Sequence, residues 1–194
     1  MADPPLIGVL ALQGGFQAHE RMLENLGPTP PRTREVRGAD ALEGLDGLVI
    51  PGGESTTMTL GIEREGLAAP LAELAARGTP ILGSCAGLIM LDREHLGLMD
   101  MRAQRNAFGR QLRSFEADVA VRGLEGGPIR GIFIRAPWIA EHGPAVEILG
   151  VLDGHPVAAR QGNLLAVAFH AELGDDDRLH RAFLELVTAG ALAG

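Results

Sequence analysis

The 194-residue chain has no lysine and no tyrosine, and all 17 of its basic residues are arginine. Without a lysine amine it cannot form an imine with a carbonyl substrate or hold pyridoxal phosphate as a Schiff base. Nor can it be a P-loop nucleoside triphosphatase of the usual kind, whose loop depends on a lysine. Its single cysteine, Cys85, excludes an intrachain disulfide and any multi-cysteine zinc site, and fits a reducing, cytoplasmic compartment. There is no long hydrophobic run. The longest, from Ile81 to Leu91, is 11 residues with a serine and the cysteine inside it, and a membrane-spanning helix needs about 20. The opening residues, MADPPLIGVLALQGG, lack a basic region and a small-residue cleavage site, so they read as a mature start and not as a secretion signal. Positive charge is also in deficit: 17 basic against 25 acidic residues leaves −8, a poor balance for binding nucleic acid or an anionic membrane.

What is present describes an ordinary globular chain. The length corresponds to about one domain, at roughly 150 residues per domain, and we assign residues 1–194 to it. A chain of this size buries about 70% of its unfolded surface, enough for a core without staples. An apolar content of 46% with 22% charged residues excludes a disordered or fibrous chain.

The hydrophobic pattern predicts strands at Leu6–Leu12, Thr33–Val36, Leu48–Ile50 and Pro80–Gly83, with helices over Phe16–Leu26, Leu67–Arg77 and Leu88–Leu91. This alternation predicts an α/β fold of three layers, a mostly parallel sheet with helices on both faces. The second half predicts strands at Phe115–Val121, Gly131–Ile134, Val146–Leu152, Val157–Arg160 and Leu164–Phe169, with a hairpin turn at Gln161-Gly162-Asn163. These add antiparallel strands to the parallel sheet. A last helix is expected after Asp175–Asp177, whose charges suit its positive end.

Three segments carry candidate chemistry. Gly83-Ser84-Cys85-Ala86-Gly87 has the form G-x-C-x-G, the thiol counterpart of the nucleophile elbow, a sharp strand-to-helix turn whose flanks must be small. The following helix offers its dipole and free N–H groups to developing negative charge. A lone cysteine is more often an inert core residue, but strand, glycines and helix together favour a nucleophile. Among the six histidines, His170 ends a predicted strand, as Cys85 does, and active sites of open α/β sheets lie at the carboxyl ends of strands. Glu172 follows two residues later, so in extended chain it projects to the same side and can orient the imidazole. An isolated H-x-E is common by chance, and so is the third segment, the glycine pair of Pro51-Gly52-Gly53-Glu54-Ser55-Thr56-Thr57, whose backbone N–H groups can approach a ligand.

In this order, the cysteine elbow, the downstream H-x-E and P-G-G-E-S-T-T resemble the class I, or triad, glutamine amidotransferases, whose fold is flavodoxin-like. The longer phrases LALQGGFQAHERML, GLVIPGGESTTM, GSCAGLIML, QRNAFGRQLRSFEAD and GIFIRAPWI are similar to the branch that supplies pyridoxal 5'-phosphate (vitamin B6) synthesis, from Leu6 to about Leu186. The resemblance implies a glutaminase that releases ammonia from L-glutamine for a separate synthase subunit, with no metal or cofactor. It implies a triad of Cys85, His170 and Glu172, oxyanion donors at Gly53 and Ala86, and glutamine contacts at Gly53, Glu54, Ser55, Arg105, Ile134 and Arg135. It also implies a position at the partner interface for Gln13, where docking organises the oxyanion hole. The family reads H-P-E where this chain has Ala171 between the two triad residues. The alternatives are a glutaminase serving another acceptor, such as imidazole glycerol phosphate synthesis, and a catalytically silent module on the same fold.

Overall fold

The structure is a computed structural model that describes residues 3–108 and 114–192. In chain order its elements are β1 (Leu6–Leu10), α1 (Phe16–Glu24), β2 (Arg32–Val36), β3 (Gly47–Ile50), α2 (Ser55–Arg64), α3 (Ala68–Ala76), β4 (Ile81–Ser84), α4 (Ala86–Leu91), β5 (Met101–Gln104), β6 (Ser114–Val119), β7 (Ile129–Ile134), β8 (Trp138–His142), β9 (Glu147–Leu152), β10 (His155–Gln161), β11 (Leu164–Val167) and α5 (Arg178–Leu192). Seven strands form one sheet in the order β2-β1-β3-β4-β11-β10-β9. The first five of these are mutually parallel, whereas β10 and β9 run antiparallel at one edge. The pairs β5–β8 and β6–β7 make two small antiparallel sheets.

The reason for this layering is visible in burial. Every residue of β1, β3, β4 and β11 is buried. Strands covered on both faces must be short unbroken apolar runs, and helices must supply the cover. The core is accordingly continuous, running from Ile7, Val9 and Leu48 through Leu82 and Val167 to Phe183 and Val187 of α5. The expected α/β fold with added antiparallel strands is the one observed.

This sheet also positions the site. Its four central neighbours, β1, β3, β4 and β11, are parallel, so all four carboxyl ends open at one edge. The residues that leave those ends are Gln13, the Gly52-Gly53-Glu54 turn, Cys85 and His170, all within a few residues of their strands.

The structure departs from the sequence-based expectation in several places, including element ends such as that of β1, which stops at Leu10 where Leu12 was expected. Helix α2 was not expected. Its cap is Glu54, whose carboxylate accepts hydrogen bonds from the backbone N–H groups of Thr56 (3.1 Å) and Thr57 (2.8 Å), which satisfies orphan donors of the first turn. Strands β5 and β8 were also unexpected, being short and half exposed. Finally, β11 stops at Val167, short of the expected Phe169, and the residues after His170 are not extended. Ala171–Leu173 form a single 3-10 turn. The chain tightens there because His170 leaves the sheet and bridges Ile132 of β7, its N–H donating to the Ile132 carbonyl at 2.8 Å.

Candidate active site

Cys85 sits between β4 and α4 with φ 50° and ψ −103°. For a side-chain-bearing residue this left-handed backbone costs of order 1–3 kcal/mol, and such strain concentrates at functional positions. Two contacts enforce the turn. A Cβ at Gly83 would lie 2.6 Å from the Gly87 carbonyl oxygen, and one at Gly87 would lie 2.0 Å from the Ile50 carbonyl oxygen. The two glycines of G-x-C-x-G are therefore required by packing, because backbone occupies the space of a side chain. The Cys85 N–H donates to the Val167 carbonyl at 2.8 Å, tying the elbow to the end of β11. The thiol lies 3.9 Å from the Ile134 carbonyl.

His170 faces this thiol. Its Nδ1 lies 2.7 Å from Glu172 Oε1, so the 3-10 turn, and not an extended strand, closes the H-x-E pair. Ala171 opens that turn and leaves both side chains in place. Burial opposes charge on His170, yet hydrogen bonds and charges from Cys85 and Glu172 outweigh it, and its pKa is pushed up to about 10. Burial likewise opposes ionisation of Glu172. The imidazoles of His19 and His170 prevail, holding its carboxyl well below the usual carboxylate range. An ionised carboxylate accepts only, so His170 carries its proton on Nδ1 toward Glu172 and turns Nε2 to the thiol side.

These groups line a cleft of about 330 Å³ that also takes in Gly53, Glu54, Ser55, Ala86, Arg105, Ile134 and Arg135. The structure thus brings together every residue of the sequence-derived site except Gln13. Gln13 stands one step behind, its Oε1 accepting the Glu54 N–H at 3.0 Å, while its buried Nε2 has no partner among the described residues. Gly52 is pressed against the imidazole, and its carbonyl accepts the Gly15 N–H at 3.1 Å. Because a trans peptide sets its N–H opposite its C=O, this bond fixes the plane of the Gly52–Gly53 peptide.

The Glu54 carboxylate has a double duty. Backbone N–H groups of Thr57 and Thr56 lower its pKa to about 2, and it also pairs with Arg105 Nη2 at 3.3 Å across the cleft. Arg135, which also lines the cleft, adopts φ 43°. Residues 109–113, in the middle of the QRNAFGRQLRSFEAD phrase, lie outside the described residues.

Sequence reasoning missed a buried cluster behind the His170–Glu172 pair. His19 and His180 are fully buried, Ser84 nearly so, and His19 contacts His180, Ser84 and Glu172. Nothing in their local sequence marks them, because they come from α1, α5 and the end of β4. Among the described residues no group of three or more His, Cys, Asp or Glu side chains is placed to hold a metal ion, and no helix is long and apolar enough to cross a membrane.

A thiol on a strained elbow beside a buried imidazole–carboxylate pair is the apparatus of covalent acyl transfer. The chain belongs to the SNO glutamine amidotransferase family, whose model matches residues 9–189. It is 50% identical to a protein of Acidothermus cellulolyticus named pyridoxal 5'-phosphate synthase subunit PdxT, over 98% of this chain and 97% of that one. A Streptomyces coelicolor protein of the same name is 48% identical, over 100% of this chain and 98% of the other. Among solved structures, a glutamine amidotransferase at 43% identity superposes with a TM-score of 0.86, covering 94% of this chain and 98% of its own.

Proposed function

We propose that this enzyme hydrolyses L-glutamine to L-glutamate and ammonia, and that it is the glutaminase subunit of a pyridoxal 5'-phosphate synthase, acting as one amidotransferase domain. The observation that carries the reading is the facing of Cys85, on its strained elbow, and His170, held at 2.7 Å by Glu172, across one cleft.

The chemistry follows from these groups. The Cys85 thiolate attacks the side-chain amide carbon of glutamine, and the N–H groups of Gly53 and Ala86 receive the oxyanion. The carbon–nitrogen bond breaks as His170 Nε2 gives its proton to the departing ammonia. The resulting thioester is attacked by water, whose proton His170 takes up. The carbon–sulfur bond then breaks, glutamate leaves, and the thiolate–imidazolium pair is restored. Glu172 supports the imidazolium in both halves. Glu54, Ser55, Arg105, Ile134 and Arg135 form the walls that hold glutamine. Acidic and guanidinium groups together suit a zwitterionic α-amino acid.

The lack of lysine divides the labour. Assembling a pyridine ring from carbonyl compounds and ammonia needs imine chemistry, which this chain cannot perform. Its product must pass to a separate synthase subunit, and Gln13, beside the Gly53–Glu54 turn, is the residue through which docking reaches the oxyanion donors. Glutamate release measured with and without that subunit is expected to show strong stimulation. Equal rates would remove docking control, and no release in either, with Cys85 reduced, would overturn the enzyme reading in favour of a silent module. Labelled amide nitrogen is expected to enter product in preference to excess free ammonium; equal incorporation would argue against direct transfer.

Arg105→Ala tests the glutamine contacts. Loss of the guanidinium is expected to raise KM about tenfold with kcat little changed, since the group binds ground state and transition state alike. A fall in kcat at unchanged KM would contradict this role.

A further inference from the structure

Behind the triad, a single ring nitrogen touches both of its halves. His19 Nε2 lies 3.0 Å from Ser84 Oγ and 3.4 Å from Glu172 Oε1. Ser84 is the residue before Cys85 in the elbow, and Glu172 is the partner of His170. On its other side, His19 Nδ1 lies 2.9 Å from His180 Nε2. We propose that His19 is a positioning residue of the triad, fixing the Glu172 carboxylate against the nucleophile elbow so that His170 stays aligned with Cys85. The inference rests on the glutaminase reading and adds to it a residue that touches neither substrate nor reacting atom.

Three observations carry it. First, Glu172 Oε2 is buried and has no hydrogen-bond partner among the described residues, so the orientation of the carboxylate depends on what holds Oε1. That atom is shared by His170 and His19. Second, His180 selects the right tautomer of His19. Its Nδ1 is buried without a partner among the described residues. A proton placed there would be an orphaned donor, so His180 carries its proton on Nε2 and donates to His19 Nδ1. Burial, with the nearby His19, pushes the His180 pKa down to about 3, which keeps that ring neutral. His19 then bears its own proton on Nε2, facing Ser84 and Glu172. Were His19 to become an imidazolium, Nε2 would carry a proton as well, so its donor faces the carboxylate in either charge state. Third, His19 and His180 are both 0% exposed. Apolar side chains would fill such sites at lower cost than two imidazoles, whose polar atoms need partners.

The test compares His19→Asn with His19→Gln, assayed together with the synthase subunit. The longer glutamine amide reaches the place of Nε2, whereas asparagine falls short of Glu172. His19→Asn is expected to lower kcat about ten- to a hundredfold, the usual effect of losing an orienting partner, with KM for glutamine within about twofold. His19→Gln is expected to recover most of that loss. The strongly deshielded proton NMR signal of a histidine Nδ1–H on a carboxylate is expected to shift or vanish in the first variant and persist in the second. If His19→Asn does not fold, Ser84→Ala takes its place, with an expected several-fold fall in kcat at unchanged KM. Wild-type kcat in the variant that folds overturns the inference alone. So do equal losses in the two His19 variants with the proton signal intact, which would indicate packing only. A wild-type protein that releases no glutamate overturns the functional reading, and the inference with it.

Discussion

Cys85→Ala is expected to abolish glutamate release, a loss on the order of 10⁵-fold or more in kcat, as for nucleophiles of comparable triads. Without the nucleophile no thioester forms, and the amide must be attacked by water in one step. The fold is expected to survive. Alanine occupies less space than cysteine at a buried position, and the turn is held by the close backbone contacts around Gly83 and Gly87, not by the thiol. The strained φ of 50° persists with alanine and is relieved with glycine. Cys85→Gly is therefore expected to be equally inactive yet at least as stable as Cys85→Ala. Glutamine binding, measured by calorimetry, is expected to persist in both. Retained glutamate release in either variant would overturn the nucleophile assignment, and His170→Asn, which removes the proton carrier, is expected to be comparably severe.

The parts of the fold legible in the sequence are those whose burial is complete. β1, β3, β4 and β11 are short apolar runs beside glycine or proline, and their length suits strands better than helices. Elements that failed to register have mixed environments. STTMTLGIER of α2 opens on Ser-Thr-Thr, poor helix formers, and its start is fixed by the Glu54 cap, which the sequence carries openly. Met58, Gly61 and Ile62, its buried face, give a weak helical period that could have revealed it. β5 and β8 pair with each other in a small sheet of their own, and neither carries a buried face long enough to show alternation.

The site divides in the same way. Cys85 was legible because an elbow demands glycines on both sides, and the structure shows what each glycine avoids. The pairing of His170 with Glu172 was foreseen, but through the wrong geometry. An extended chain would also place them on one side, whereas the observed contact comes from a tight turn forced by the His170–Ile132 bridge. The buried cluster behind them was illegible on principle. His19 meets His180 across 161 residues and Ser84 across 65, and only the stacking of α1 and α5 on the end of β4 brings these side chains together. Local spacing carries no trace of such contacts.

Gly52→Ala is expected to cripple the enzyme, though less than loss of His170 itself, by a route that leaves every reacting group present. A Cβ on Gly52 would stand 2.2 Å from His170 Cε1 and 2.8 Å from its Nδ1. The backbone of Gly52 lies outside the left-handed region, so alanine adds no conformational strain there, and the conflict falls on the ring. The imidazole cannot yield and stay useful. Its Nδ1 is bound to Glu172 at 2.7 Å, and its backbone is pinned to Ile132. Clearing the methyl requires a shift of about 1 Å or a new rotamer, either of which breaks the alignment with Cys85. A displacement of that size costs about a hundredfold, and full loss of the base costs more, so kcat is expected to fall by about 10²–10⁴. The thermal unfolding midpoint is expected to fall as well, because moving the ring takes a partner from the buried Glu172 carboxylate. The thiol provides the second readout. With His170 moved away, Cys85 loses the imidazole that faces it, and alkylation by iodoacetamide at neutral pH is expected to slow in parallel with kcat. Wild-type turnover and wild-type alkylation in Gly52→Ala would show that the imidazole is not held against Gly52 in solution, and the triad geometry would have to be redrawn.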